Sequence, residues 1–139
     1  MFKEILVAVD GSDHGFNAAE MAGKLARLTQ ARVWVLVAYD PLPTYMGDSN
    51  LQEIISARMN YAEEIMQTAL QALGEVPGEI KKEIMEGPAA EAVLSVAETR
   101  GVELIVMGTR GLGRLASVVM GSQSQKVVAQ ANCPVLLVR

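Results

Sequence analysis

Five short apolar runs alternate with stretches of helical periodicity along this chain, and no other feature constrains its fold as strongly. Four of the runs are nearly continuous in Val, Ile, Leu, Ala or Met, which is typical of strands buried on both faces of a parallel sheet. The third run is far more polar and indicates an edge strand. The predicted strands are Ile5–Val9, Val33–Tyr39, Glu79–Met85, Leu104–Met107 and Val135–Val138.

Apolar residues recur at three- and four-residue spacing between those strands, which predicts helices. The first stripe follows a cap at Ser12 or Asp13 and ends at Leu28, and the second includes one charged member, Arg58. The predicted helical stretches are 18–28, 51–73, 89–97 and 124–131. Strict alternation with helix-length crossovers predicts an α/β fold, in which a doubly wound, mainly parallel five-stranded sheet carries helices on both faces.

Length and composition limit the class of protein. The 139 residues, half of them apolar, suffice for a single domain over residues 1–139. No apolar stretch approaches the roughly 20 residues that span a bilayer, and the first residues do not resemble a secretory signal, so we expect a cytoplasmic protein without a membrane partner. Cys133 is the only cysteine, which excludes an intrachain disulfide. The formal charge of −4 argues against a nucleic-acid partner.

The acidic residues are distributed unevenly. All sixteen lie at or before Glu103, whereas residues 104–139 contain four basic residues and no carboxylate. A carboxylate-free stretch in an acidic protein suggests a local site for a small anion. The alternative is that this stretch lacks acids by chance.

Two predicted strands end in residues suited to binding a ligand. In an open parallel sheet, ligands bind at the carboxyl ends of the strands, near the point where the strand order reverses. The first strand is followed by Asp10, and the fourth ends at Met107 and Gly108. The sequence therefore places its candidate site at these two strand ends.

The segment after the fourth strand has the composition of a phosphate cradle. Gly108 and Gly111 permit tight turns and a close ligand approach, because neither carries a Cβ. Gly121 precedes a helix whose free N–H groups and positive dipole end favour an anion. Ser122 and Ser124 add hydroxyl donors. The alternative is an ordinary glycine-rich loop before a serine-capped helix.

Other chemistries fit these residues less well. The spacing G-x-G-x-x-A at residues 111–116 resembles a dinucleotide fingerprint, but no acid follows it to bind a ribose, and a Walker A loop is absent. With one histidine and one cysteine, the chain cannot build a zinc site or a Cys-His or Ser-His-Asp hydrolase. We expect the histidine, His14, to be an exposed loop residue.

The glycines and serines of this segment also carry a family resemblance. Gly108-x2-Gly111-x9-Gly121-Ser122 matches, without insertion, the G-x2-G-x9-G-[S/T] signature of the ATP-binding branch of universal stress proteins. Residues 2–12 resemble the opening strand of that family and its aspartate, and residues 132–139 resemble its closing strand. The similarity covers the whole chain.

The resemblance implies a Rossmann-like fold of the adenine nucleotide hydrolase type with strand order 3-2-1-4-5, whereas the flavodoxin-like order 2-1-3-4-5 is the alternative. It also implies an ATP ligand, or AMP or ADP, with Mg or Mn bridging the phosphates. The chain departs from the family at the third helix, where Ala89 occupies the usual proline position and Pro88 precedes it. That departure concerns a helix start and not the nucleotide motif.

The same resemblance implies roles for individual residues. Asp10 is expected to face the ribose or adenine, and the backbone of Val37 and Ala38 to bind the adenine edge. The roles of Arg110 and Arg114 stay open, and no catalytic or metal-ligating side chain is expected. The candidate binding residues are Asp10, Val37, Ala38, Met107, Gly108, Arg110, Gly111, Gly121, Ser122, Gln123 and Ser124.

The expected function is that of a nucleotide-responsive binding protein of the stress response, with very slow or no hydrolysis. The last predicted strand carries no charge to protect a free sheet edge, which predicts a homodimer through that strand. The first alternative is an enzyme of the same fold type, either a slow ATPase or a nucleotidyl-transferring protein. The second is a purely structural dimer.

Overall fold

The computed structural model describes residues 1–41, 48–109 and 121–139, with side chains from residue 50 onward in the second range. Its strands and helices alternate as predicted, and their ends differ from the expected ones by a few residues. In chain order the elements are β1 (Glu4–Val9), α1 (Asp13–Thr29), β2 (Arg32–Tyr39), α2 (Asp48–Leu73), β3 (Ile80–Glu86), α3 (Ala89–Thr99), β4 (Leu104–Gly108), α4 (Ser122–Gln130) and β5 (Val135–Val138).

The strands form one parallel sheet in the order β3-β2-β1-β4-β5. This confirms the doubly wound α/β fold and the strand order 3-2-1-4-5. β1 lies at the centre, where Leu6 is paired with Trp34 of β2 on one side and with Ile105 of β4 on the other. The polar strand β3 is an edge strand, as predicted, and its Lys81 and Lys82 are exposed.

Helices cover both faces of the sheet, and each face has its own hydrophobic core. One core contains buried residues of α1 and α2, and the other contains buried residues of α3 and α4. α1 begins at its predicted cap, because the Ser12 hydroxyl accepts a hydrogen bond from the Gly15 N–H. None of the described helices is both long and apolar enough to cross a membrane.

The predicted apolar stripe of α1 is wrong at its end. Leu28 is 82% exposed, whereas Ala19, Ala22 and Ala26 are fully buried. Small residues bring α1 close to its neighbours, and Leu28 lies about 200° around the helix from Ala26, on the solvent side. The prediction assumed that the larger side chain, Leu28, would be buried. The buried face of this helix is instead built from alanine and glycine.

Candidate functional site

A cleft of about 700 Å³ lies at the carboxyl ends of β1, β2 and β4. β1 and β4 are neighbours in the sheet, but β1 leads to α1 on one face and β4 leads towards α4 on the other. This is the point at which the strand order reverses, and it is where ligands bind in open α/β sheets. The position agrees with the one expected from the two strand ends.

Most of the predicted binding residues line this one cleft. Ser122 begins α4 and is exposed, and it does not line the cleft. Arg110 and Gly111, with Arg114, lie outside the described residues. The predicted residues in the lining are Asp10, Val37, Ala38, Met107, Gly108, Gly121, Gln123 and Ser124.

Asp10 is exposed at the end of β1 and has a structural partner in Ser12. One of its carboxylate oxygens, Oδ1, accepts hydrogen bonds from the Ser12 N–H at 3.0 Å and from the Ser12 hydroxyl. Ser12 in turn caps α1, so this pair fixes the turn between strand and helix. The other oxygen has no partner within the described part of the chain, and Asp10 lines the cleft.

Position 108 requires glycine for a packing reason that the sequence did not indicate. A Cβ at this position would lie 2.8 Å from the carbonyl carbon and the Cβ of His14 in α1. Real Cβ atoms do not approach other heavy atoms so closely, so Gly108 allows the first turn of α1 to cross the end of β4. Its backbone lines the cleft.

His14 is not the exposed loop residue that we expected. It is partly buried in the first turn of α1, and its Nδ1 lies 2.7 Å from the Thr109 hydroxyl. Thr109 also donates its N–H to Val138 and accepts a hydrogen bond from the Gly121 N–H at 2.6 Å. His14 therefore orients Thr109. The chain leaves β4 at Thr109, and Gly121, just before α4, is hydrogen-bonded back to it.

The first turn of α4 points towards the cleft. Gly121 is the N-cap in an extended conformation, and no side chain of the described residues caps this helix. Ser124 is buried, and its hydroxyl donates a hydrogen bond to the Gly108 carbonyl at 2.8 Å. In this geometry the group that Ser124 offers to an anion is its backbone N–H, not its hydroxyl.

Gln123 connects α4 to the beginning of α3. Its side-chain oxygen accepts a hydrogen bond from the Ala90 N–H at 2.8 Å. Pro88 is the N-cap of α3 and has no side-chain hydrogen bond to offer. The Gln123 amide of the neighbouring helix therefore accepts the hydrogen bond that a serine or aspartate side chain accepts at the start of other helices.

One wall of the cleft is formed by α2, a helix that the sequence predicted but did not assign to the candidate site. Arg58 and Tyr61 line the cleft, and the Arg58 guanidinium donates to the carbonyls of Asp40 at 2.5 Å and Pro41 at 2.6 Å. Arg58 is the only basic residue among the described residues that line the cleft. Its signal in the sequence was a charge on an otherwise apolar helical stripe.

Comparison with known proteins gives one family over the whole length. The model of the universal stress protein family matches residues 1–139. A universal stress protein of Thermus aquaticus is 49% identical over 139 residues, covering all of both chains. The universal stress protein YxiE of Bacillus subtilis is 32% identical over 148 aligned positions, again covering all of both.

Solved structures agree with these matches. Universal stress protein UspA from Lactobacillus plantarum has a TM-score of 0.88 and 28% identity, covering 99% of this chain and 98% of that one. A universal stress protein in complex with cAMP and one from Archaeoglobus fulgidus in complex with dAMP have TM-scores of 0.69 and 0.62, at 24% and 20% identity. At that distance the likeness shows the fold alone. From the family match over all its residues, together with these relatives, the chain belongs to the universal stress protein family.

Proposed function

We propose that this protein binds ATP in the cleft and acts as a nucleotide-responsive regulatory homodimer of the cytoplasm. The observation that carries the proposal is the convergence of eight predicted binding residues on one cleft at the reversal point of the sheet. A volume of about 700 Å³ lies within the range of small-molecule sites. AMP and ADP share the adenosine part of the ligand and would enter the same cleft.

The two ends of the cleft differ in chemistry, as an adenine nucleotide requires. Val37, Ala38 and Ile65 offer apolar surface and strand backbone to a base. The first turn of α4, which follows the N-cap Gly121, offers backbone N–H groups and the positive end of a helix dipole to phosphates. Asp10 stands at the end of β1, where its second oxygen is suited to a ribose hydroxyl.

We propose that a divalent cation, Mg or Mn, accompanies the phosphates of the bound nucleotide. No group of three His, Cys, Asp or Glu side chains in the described ranges is placed to hold a metal ion. Phosphate oxygens and water would supply the ligands, as is usual for Mg²⁺ bound with a nucleotide. The cation would neutralise phosphate charge near Gly121.

The proposal is tested by identifying the ligand and then removing its site. Mass spectrometry of small molecules released from freshly purified protein should find an adenine nucleotide. Titration calorimetry with Mg-ATP should detect binding to the wild type and none to Gly121→Val, because the branched side chain would occupy the path of the phosphates. Ala129→Val is the control, since it places the same side chain at an exposed position of α4 that does not line the cleft.

The expected result requires that Gly121→Val keep the far-UV and near-UV circular dichroism of the wild type. If the wild type and the folded Gly121→Val variant bind Mg-ATP equally, the ATP site lies elsewhere. If neither binds any adenine nucleotide, the proposed function is wrong.

A further inference from the structure

Gln123 has a fixed amide orientation, and this carries an inference about the ligand. A backbone N–H can only donate, so the amide atom 2.8 Å from the Ala90 nitrogen must be the oxygen. The side-chain NH2 group then lies at the other end of a planar amide. It has no hydrogen-bond partner among the described residues, and Gln123 lines the cleft.

The surroundings of that NH2 group favour a negatively charged acceptor. Gln123 is the second residue of α4, and its amide oxygen is bound to the second residue of α3. Two helix N-termini therefore lie on either side of one side chain, and both favour negative charge through their dipoles. A phosphate oxygen satisfies both conditions, because it accepts hydrogen bonds and carries charge.

We infer that Gln123 has two tasks: it holds the start of α3 against α4, and it donates its NH2 hydrogens to a phosphate oxygen of the bound nucleotide. This inference rests on the proposed function. The same side chain also compensates for the sequence departure at Pro88, because an N-cap proline leaves the Ala90 N–H without a side-chain acceptor. Gln123 supplies that acceptor from the neighbouring helix.

The substitution Gln123→Glu separates the two tasks. Glutamate has nearly the same shape, and one carboxylate oxygen can still accept from Ala90. The other end of the side chain changes from a donor to a charged acceptor, which repels phosphate. Gln123→Ala removes both groups. Gln125→Glu is the matched control, because it adds the same charge to an exposed position of the same helix that does not line the cleft.

Two measurements are made on each variant: the melting temperature without ligand, and the dissociation constants for Mg-ATP and for adenosine. We expect Gln123→Ala to melt about 2–5 °C lower, as for a lost helix cap, and Gln123→Glu to melt at or above the wild-type temperature. Gln123→Glu should bind Mg-ATP at least about tenfold more weakly. Its affinity for adenosine and the ATP affinity of Gln125→Glu should be nearly those of the wild type.

Each part of the inference can fail separately. An unchanged melting temperature of Gln123→Ala would overturn the structural task. Wild-type affinity of Gln123→Glu for Mg-ATP would overturn the donor task, and an equal loss for adenosine would overturn the assignment to phosphate. If the wild type binds no adenine nucleotide, the proposed function fails first, and that result differs from all three.

Discussion

His14 and Thr109 join the two segments that follow β1 and β4, the neighbouring strands whose ends line the cleft. Their hydrogen bond spans 95 residues in sequence, from the first turn of α1 to the end of β4. Thr109 is also bound through its backbone to Val138 of β5 and to Gly121 before α4. One threonine thus connects three elements, and the histidine orients its side chain.

Replacing His14 by leucine should lower the free energy of unfolding by about 0.5–1.5 kcal/mol, the net contribution of one hydrogen bond. Asparagine carries a polar atom close to the position of the histidine Nδ1, so His14→Asn should recover most of that loss. Urea denaturation of the wild type and both variants measures the difference. Equal losses in His14→Leu and His14→Asn would mean that the ring packs and the bond to Thr109 contributes little.

Hydrolysis of ATP should be slow, because the carboxylates nearest the cleft are poorly placed for catalysis. Among the described residues, Asp10 and Asp40 are the carboxylates that line the cleft. Asp10 is bound to Ser12, and Asp40 follows β2, the strand expected to face the base rather than the phosphates. Asp13 is exposed at the start of α1 and does not line the cleft. Fast phosphoryl transfer needs a positioned base or water-orienting group and charge on the γ-phosphate. We predict phosphate release far below the median enzyme rate of ~10 per second.

Single-turnover release of labelled phosphate from the purified complex measures that rate. Asp13→Asn is the diagnostic variant, since it removes an exposed carboxylate near the site while keeping the size of the side chain. A rate above about one per second that disappears in Asp13→Asn would identify a catalytic aspartate and favour the enzyme alternative.

At the level of elements, α1 and α2 meet at a point where only glycine fits. A Cβ on Gly23 would lie 2.1 Å from the Leu73 carbonyl oxygen at the end of α2. Arg27, one turn later in α1, donates to the carbonyls of Leu73 and Glu75. The end of α2 therefore docks directly on the backbone of α1.

Gly23→Ala tests this contact by the sign of its effect. Helix propensity alone predicts that alanine stabilises an interior helix position by about 1 kcal/mol. The overlap with Leu73 should reverse that sign, and we expect a net loss of about 1–3 kcal/mol in the free energy of unfolding. Lys24→Ala, at the exposed neighbouring position, should change stability by less than about 0.5 kcal/mol. A stabilised Gly23→Ala would contradict the close docking.

The elements were predictable because each leaves a local signal in the sequence. Buried parallel strands are apolar runs, and β3 differs because it lies at an edge where residues such as Lys81 and Lys82 are exposed. Leu28 was assigned wrongly, since periodicity marks a helical face but does not say whether alanines or a leucine will pack. The helices α1 and α4 start earlier than predicted, because their N-caps, Ser12 and Gly121, precede the first residue of the apolar pattern.

The site was only partly predictable, for a different physical reason. Asp10 and the residues around Gly108 and Gly121 follow strand ends, and the order of strands brings strand ends together. The contacts of His14 and Arg58 depend on which helix lies across the cleft. That is a property of tertiary packing. The charge of Arg58 on an apolar stripe marks the residue as unusual, but no local signal says which groups it will contact.

At the level of the whole molecule, the edge strand β5 predicts self-association. All four of its residues are partly exposed, all are apolar, and β4 is its only partner in the described sheet. An apolar unpaired edge favours pairing with a second copy across a two-fold axis. The structure describes one chain, so the homodimer stays a prediction.

Leu136→Lys should convert that dimer to a monomer, because charges would be brought together at the paired edge. Light scattering at micromolar concentration measures the mass. Ile84→Lys is the matched control: Ile84 is also a partly buried strand residue packed against the same core, but it lies on the opposite edge strand. A monomeric wild type, or loss of the dimer in both variants, would exclude assembly through β5.

The central pairing of β1 with β4 also determines when the molecule can fold. Ile5 lies opposite Leu104, so the middle of the sheet joins residues from far-apart parts of the chain. At about 5–20 residues per second, a ribosome makes β4 roughly 5–20 seconds after β1. During that interval the edge of β1 that pairs with β4 has no partner strand, and non-local pairing of this kind is slow even in a finished chain. The nascent protein should therefore depend on chaperones until its fourth strand emerges.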